Sequence, residues 1–289
     1  MRSFMCLLSA AFLRITKVND NNFMKEFNKV KEKGEIDWEM NSKHIGHSFE
    51  CENFEGMKVY YVGKKTGYKS VLFYIHGGYY FHHAAKSHLT MLRNIMNQTN
   101  TMVVFPVYPL APFHNVDENF EVMKSLYEKV RKENNGKKMI LSGDSAGGGY
   151  ALAIAEVLKE KPDELILLSP WVDATMNNKK MWDYDKVDPM LSIEKARYIG
   201  KLWAGKNGSE DPRVSPLFGN MSNLKNVTIF VGTREVFYPD NILLYEKLKD
   251  LKSSNLKLII GKGQNHVYPA YPTREAKLAQ KQIADIINR

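Results

Sequence analysis

A serine set between two glycines at the end of an apolar run is the first feature of this sequence that could do chemistry. Lys137-Lys138-Met139-Ile140-Leu141-Ser142 leads into Gly143-Asp144-Ser145-Ala146-Gly147-Gly148-Gly149, and a helical pattern follows through Ala151, Leu152, Ile154, Ala155 and Leu158. A strand, a Gly-x-Ser-x-Gly turn and a helix in that order expose a serine hydroxyl on a sharp, strained corner. A β-carbon at Gly143 or Gly147 would clash in so tight a turn. The N-terminus of the following helix favours negative charge developing beside Ser145. A phosphate-binding glycine loop is the competing reading, but no Gly-Lys-Ser/Thr closes the loop and no Gly-x-Gly-x-x-Gly occurs. The chemistry indicated is nucleophilic attack by the Ser145 hydroxyl.

A second strand, Val71-Leu72-Phe73-Tyr74-Ile75, ends in His76-Gly77-Gly78-Tyr79. Glycines there let backbone N–H groups turn toward a carbonyl oxygen, and preorganised donors of this kind are worth about 3–4 kcal/mol each in a transition state. Gly77, Gly78 and Tyr79 are therefore candidate oxyanion donors, together with the amide of Ala146, the residue after the serine. His76 reads as a brace for this loop. His82, His83 and His88 follow closely, but they lack His-Glu-x-x-His order and a paired carboxylate, so no metal site is expected.

These loops need a frame. Short apolar runs at 57–62, 71–75, 102–108, 139–142, 165–168, 227–231 and 256–260 read as strands, and 116–134, 147–160, 239–252 and 273–288 read as helices. Unbroken apolar strands alternating with helices imply a mostly parallel sheet with helices on both faces. Residues 171–223, with their Pro, Asn and Asp clusters, read as an irregular insertion between core strands. At the N-terminus, Phe4, Leu7, Leu8, Ala11, Phe12 and Ile15 lie on one face of a helix, and Phe23, Phe27 and Val30 suggest a second. The apolar stretch from Phe4 to Leu13 is too short to span a bilayer, which takes about 20 residues. Arg14 and Lys17 follow it in place of a small-residue cleavage site. An amphipathic helical lid is the preferred reading, with a membrane anchor or secretory signal as the alternative.

Composition narrows the class further. The 289 residues are 44% hydrophobic and 25% charged, as in soluble globular chains. The two cysteines, Cys6 and Cys51, exclude a disulfide scaffold and a four-cysteine zinc site. They fit a reducing, cytoplasmic setting. The net charge of +9 raises the question of nucleic acid, but the basic residues are dispersed, their densest runs carry neighbouring Glu, and no basic stripe with interleaved aromatics occurs. No nucleic-acid partner is expected. Weak contact of residues 1–17 with a membrane surface stays open.

His76-Gly77-Gly78, Tyr108-Pro109-Leu110-Ala111-Pro112, Gly143-Asp144-Ser145-Ala146-Gly147-Gly148, Ser169-Pro170-Trp171 and Asp188-Pro189-Met190 stand in an order that resembles the hormone-sensitive-lipase-like group of α/β-hydrolases, bacterial-type carboxylesterases and lipases. The resemblance covers roughly residues 55 to 288. It implies an α/β-hydrolase fold with a small helical cap, divided into an N-terminal cap segment 1–50 and a catalytic domain 51–289 that carries a cap insertion at about 171–223. Two departures stand out. Tyr79 occupies the place of a third glycine and would narrow or reshape the acyl site. Phe113-His114-Asn115 replaces Glu-His-Pro.

A serine attacks carbonyls when a base removes its proton, and this fold orders the parts as serine, acid, histidine. His266, 121 residues beyond Ser145, is the one histidine that follows it. For the acid, the family's position past the 227–231 strand falls on Glu235, 31 residues before His266. Asp240 is the runner-up, read as a helix cap near Pro239, and Asp173 is a third candidate. The expected activity is hydrolysis of short-to-medium acyl esters through an acyl-enzyme, with no cofactor and a small-molecule acyl ester as substrate. A deacetylase or amidase on the same triad, and a non-catalytic ligand-binding protein on the same scaffold, are the alternatives. The resemblance also implies a homodimer through an edge strand.

Overall fold

The computed structural model describes residues 20–289 together with Ser3 and Met5. The amphipathic pattern from Phe4 to Ile15, and with it the choice between lid, anchor and signal for residues 1–17, lies outside the described residues.

Eight strands form one sheet: β1 (Phe49–Phe54), β2 (Met57–Val62), β3 (Ser70–Ile75), β4 (Thr101–Val107), β5 (Lys138–Asp144), β6 (Glu164–Leu168), β7 (Val227–Gly232) and β8 (Lys257–Gly261). Their spatial order is β1-β2-β4-β3-β5-β6-β7-β8. β1 and β2 are antiparallel to each other, and β2 is antiparallel to β4. Every other pairing is parallel. Seven strands match the apolar runs. β1 was not expected, because Phe-Glu-Cys-Glu-Asn-Phe offers no apolar run. It is an edge strand whose four central residues face solvent, and it pairs with β2 alone.

The strands sort their side chains by the two-residue period of the pleat. Val71, Phe73, Met139, Leu141, Leu165 and Leu167 enter the core on one face. Leu72, Ile140, Ile166 and Phe230 enter the core on the other. The first face is covered by α4 (Val116–Glu133), α5 (Ser145–Val157) and α8 (Tyr238–Asp250) through Leu126, Leu152 and Leu244. The second is covered by α3 (Lys86–Met96) and α9 (Arg274–Ile287) through Leu92 and Ile283.

Two helical regions go beyond the sequence reading. α3 presents Leu89, Leu92, Ile95 and Met96 to the core at helical spacing, a pattern masked by its histidine and polar residues. Residues 171–223 are not wholly irregular. They hold α6 (Met181–Asp185) and α7 (Ile193–Trp203), the latter capped by Ser192, whose hydroxyl accepts the Lys195 N–H at 3.3 Å. The stretch 1–50 also divides. Trp38, Met40 and Ile45, the last on the short α2 (Ser42–Ile45), pack into the sheet core beside Tyr60 and Phe105. By contrast α1 (Asp20–Lys33) lies against α7. Phe23 and Phe27 meet Phe81 and Tyr198 with ring centroids 5.4–6.3 Å apart, and Ile199 completes the cluster.

Because α1 is held by this satellite cluster rather than by the sheet, Phe27→Ala should release α1 before it unfolds the core. The local cost is about 3 kcal/mol. Limited proteolysis should cut within residues 20–33, while the urea midpoint of the sheet shifts little. A joint loss of both would show that α1 and the sheet unfold as one unit.

Candidate active site

The four loops singled out in the sequence leave the carboxyl ends of neighbouring parallel strands, where an open α/β sheet places its ligands. β5 ends at Asp144 and α5 begins at Ser145 with no residue between them. Ser145 has φ +52°, the left-handed region that costs a non-glycine residue about 1–3 kcal/mol. The turn closes so tightly that a β-carbon on Gly143 would overlap the carbonyl of Gly147, and one on Gly147 would overlap the carbonyls of Ile75 and His76. The Trp171 N–H binds the Ser145 carbonyl at 2.8 Å and holds the corner from the adjoining strand end.

The structure brings Ser145, His266 and Glu235 together. His266 Nε2 lies 2.8 Å from Ser145 Oγ. His266 Nδ1 pairs with Glu235 Oε2. All three are buried, with Glu235 fully excluded from solvent and Ser145 retaining 6% exposure. Glu235 is fastened by its other oxygen. Oε1 accepts the Gly232 N–H at 2.6 Å and the Ser169 hydroxyl at 2.8 Å. Ser169 Oγ in turn accepts the Val267 N–H at 3.0 Å, so one hydroxyl ties the acid to the histidine loop. Ser169 stood in the sequence only as part of a motif; its bridging role depends on the β6 end meeting two loops from distant parts of the chain. Asp188 does similar work. Its Oδ1 accepts the N–H groups of Met190 and Leu191, and Oδ2 accepts that of Val236 at 2.8 Å, which fixes the insertion to the loop bearing Glu235. Burial raises the Asp188 carboxyl to about 6.

The loop after β3 is held from below. Gly77 N–H donates to Asp144 Oδ1 at 2.9 Å, so this amide serves the loop rather than pointing to an oxyanion. Gly78 has φ +124°, and its carbonyl accepts the N–H groups of Phe81 and His82, which shapes the turn. Tyr79 also has positive φ. Its hydroxyl accepts the Ser192 N–H at 3.3 Å, and its ring meets Trp171 edge-on at 5.9 Å. Trp171 stacks on Phe237, whose ring lies 5.2 Å from that of His266. The extra side chain at 79 therefore begins an aromatic wall that runs to the histidine. His76 is fully buried, bonds the Gly77 carbonyl through Nδ1 at 2.7 Å and stacks on Tyr108. Burial pushes its pKa down to about 3, which keeps it neutral.

The histidines near this loop go to separate partners: His82 to Glu26, His83 onto the Trp38 ring and His88 to Asp144. Among the described residues no group of three His, Cys, Asp or Glu is placed to hold a metal, and no helix is long and apolar enough to cross a membrane. His114 pairs with Glu35 and Glu118, and Asn115 caps α4 by accepting the Asp117 N–H, so the departure at 113–115 is built into the fold.

Asp240 and Asp173 stand away from the His266 ring nitrogens. Asp173 accepts the Thr175 N–H in a local turn. Asp240 is the third residue of α8 rather than its cap; Phe237 occupies that position, and no side chain caps the helix. Asp240 instead accepts from Asn178 Nδ2 at 2.6 Å. Its second oxygen is buried with no partner among the described residues. Burial, with Asp173 nearby, raises its pKa from 3.8 to about 7. The sign follows from linkage. The unfolded chain ionises Asp240 near pH 4 while the folded chain holds the proton until about pH 7, so this group removes stability as pH rises between those values. Asp240→Asn keeps the acceptor and cannot ionise. Relative to the wild type it should gain stability from about pH 4 to about pH 7 and level off above that, measured by urea unfolding; a constant difference between pH 4 and pH 7 would contradict the buried protonated state.

Comparison with known proteins agrees with this geometry. Residues 72–270 match the alpha/beta hydrolase fold family. An esterase of Acinetobacter venetianus is 32% identical over 224 residues, covering 74% of this chain and 73% of that one. The structure of a candidate esterase from Staphylococcus aureus superposes with a TM-score of 0.87 at 27% identity, covering 96% of each chain. An esterase of the bacterial hormone-sensitive lipase family shares the fold with a TM-score of 0.81 at 20% identity, covering 99% of this chain and 98% of that one. With the serine turn, the sheet order and these likenesses in agreement, the chain belongs to the α/β-hydrolase family and is a hydrolase of the esterase and lipase kind.

Proposed function

We propose that the chain hydrolyses short-to-medium acyl esters, with Ser145 as nucleophile, His266 as general base and then acid, and Glu235 as the carboxylate that orients His266. The observation that carries this reading is the unbroken line from Ser145 Oγ to His266 Nε2 and from His266 Nδ1 to Glu235. Ser145 Oγ attacks the acyl carbonyl while His266 Nε2 takes its proton. Glu235 steadies the imidazolium charge that appears on the ring. The N–H groups of Gly78, Tyr79 and Ala146 receive the oxyanion, and the start of α5 supports it electrostatically. Collapse expels the alcohol, protonated by His266, and leaves an acyl-enzyme. Water activated by the same histidine then releases the acid. The sequence needs no cofactor for either half.

The aromatic wall formed by Tyr79, Trp171 and Phe237 is the basis for the short-to-medium acyl preference, since it sets bulky rings beside the reacting centre. Residues 20–33 and 171–223 together form the proposed cap, with α1 and α7 in contact through the Phe23–Phe27 cluster.

A p-nitrophenyl ester series from acetyl to long-chain acyl groups tests the activity directly. Short esters should give a burst of p-nitrophenol followed by steady turnover. Ser145→Ala should lose about 10⁴–10⁶-fold in kcat. Glu235→Gln keeps the size and removes the charge that orients His266, so it should lose at least about 10²-fold, whereas Asp240→Asn should stay within about fivefold. Full turnover by folded Ser145→Ala would refute the nucleophile. A dead Asp240→Asn beside an active Glu235→Gln would refute the acid alone. Turnover of anilides in preference to esters would move the chemistry to the amidase alternative.

A further inference from the structure

We propose that His88 and Asp144 form a buried positioning pair that clamps the loop bearing the oxyanion donors onto the nucleophile turn. The assignment rests on Ser145 being the nucleophile of the reaction proposed above.

Asp144 occupies the cap position of α5, yet its side chain does not cap that helix. It is 1% exposed, and it spends both carboxylate oxygens on other parts of the chain. Oδ1 accepts the Tyr74 hydroxyl at 2.6 Å and the Gly77 N–H at 2.9 Å. Oδ2 faces His88 Nε2 at 3.1 Å. One residue beside the strained serine therefore joins β5, the end of β3, the loop beyond it and α3. A buried carboxylate survives in the ionised form only when its lone pairs are met by donors. His88, with Tyr74 and Gly77, meets them here and holds Asp144 down to about 2.

His88 is itself set from behind. Its Nδ1 lies 2.9 Å from the Ala85 N and 3.3 Å from the Ala85 carbonyl oxygen, which fixes the ring at the start of α3 with Nε2 turned to Asp144. Removing this donor leaves Oδ2 buried and unmet. The carboxylate then rotates to find a partner, and the Gly77 N–H loses its anchor. The next two residues of the chain are Gly78 and Tyr79, whose amides must stand within a fraction of an ångström of the oxyanion position to be useful. The pair touches no reacting atom, so its effect reaches the chemistry through Gly77.

The clamp has a kinetic signature that general destabilisation lacks. Donors aimed at the oxyanion act in the transition state, so their displacement lowers kcat and leaves KM nearly unchanged. For His88→Ala, kcat should fall at least about tenfold with KM within about threefold, a smaller loss than the 10²–10³-fold that follows deletion of a whole oxyanion donor. Affinity for a trifluoromethyl ketone, which forms a tetrahedral adduct on the serine, should fall in parallel with kcat/KM. His88→Gln places an amide donor toward Oδ2 and should recover most of the rate. Amide hydrogen exchange provides the readout independent of turnover: Gly77 should be protected in the wild type and in His88→Gln, and exposed in His88→Ala. Asp144→Asn, which keeps an acceptor for Tyr74 and Gly77, covers the case in which His88→Ala does not fold; it should retain Gly77 protection better than Asp144→Ala. If the wild type hydrolyses no ester, the proposed reaction fails, and Gly77 exchange still decides the clamp. Wild-type kcat together with unchanged Gly77 protection in folded His88→Ala would overturn the positioning role. A loss equal in His88→Ala and His88→Gln would overturn it as well.

Discussion

The structure turns on one backbone constraint. Ser145 must hold a left-handed conformation at a corner where a strand becomes a helix without a spacer. That corner has no room for β-carbons at Gly143 and Gly147, because the carbonyls of Gly147, Ile75 and His76 already occupy the space. The strain is local and is offset by the order around it: β5 is flanked by β3 and β6, Trp171 binds the serine carbonyl, and α5 is buried along almost its whole length.

Around this corner the protein solves the same problem several times. A loop at a strand end carries backbone N–H groups that burial would leave unsatisfied. Buried acceptors meet them: Asp144 for Gly77, Glu235 for Gly232, Ser169 for Val267 and Asp188 for Val236. The Glu235–Gly232 contact closes its own loop, and the other three cross between segments far apart in sequence. The loops around Ser145 and His266 are thereby held by side chains that touch backbone, which fixes the loop rather than a single rotamer. The same economy explains why burial leaves Asp188 raised while Asp144 is lowered. Asp188 is held by amides of its own turn and of the Glu235 loop, whereas Asp144 also has the His88 imidazole opposite.

The positive net charge plays no part in this frame. Lys129 pairs with Glu52 and Glu133, and Arg131 with Glu160 and Asp163, so the densest basic run is partnered across the surface. Lys195 instead reaches into the cluster between α1 and α7, lying 5.1 Å from the Phe23 ring centroid and 5.3 Å from that of Tyr79, with Glu26 as its counter-ion. Tyr79 thus joins the loop after β3 to both the α1–α7 cluster and the aromatic wall, a place where glycine would touch nothing.

The sequence by itself determined the sheet, its helical cover and the residue types of the reacting centre. Those properties are local. Seven strands are largely apolar runs, four long helices carry 3.6-residue periodicity, and the glycines around Ser145 announce a turn that admits no side chain. The β1 strand, α3 and the helices within 171–223 were hidden because their signals are mixed. β1 is an exposed edge defined by its neighbour, and α3 and α7 interleave polar residues with a narrow buried stripe. Only the tertiary structure decided which carboxylate meets His266, that Asp240 holds Asn178 instead of capping a helix, and that Gly77 spends its amide on Asp144. These outcomes depend on where a strand end, an insertion and a helix start meet in space. Sequence separation carries no information about such meetings: the packing of the sheet sets the distances, and hydrogen-bond satisfaction in a region without water selects the partners.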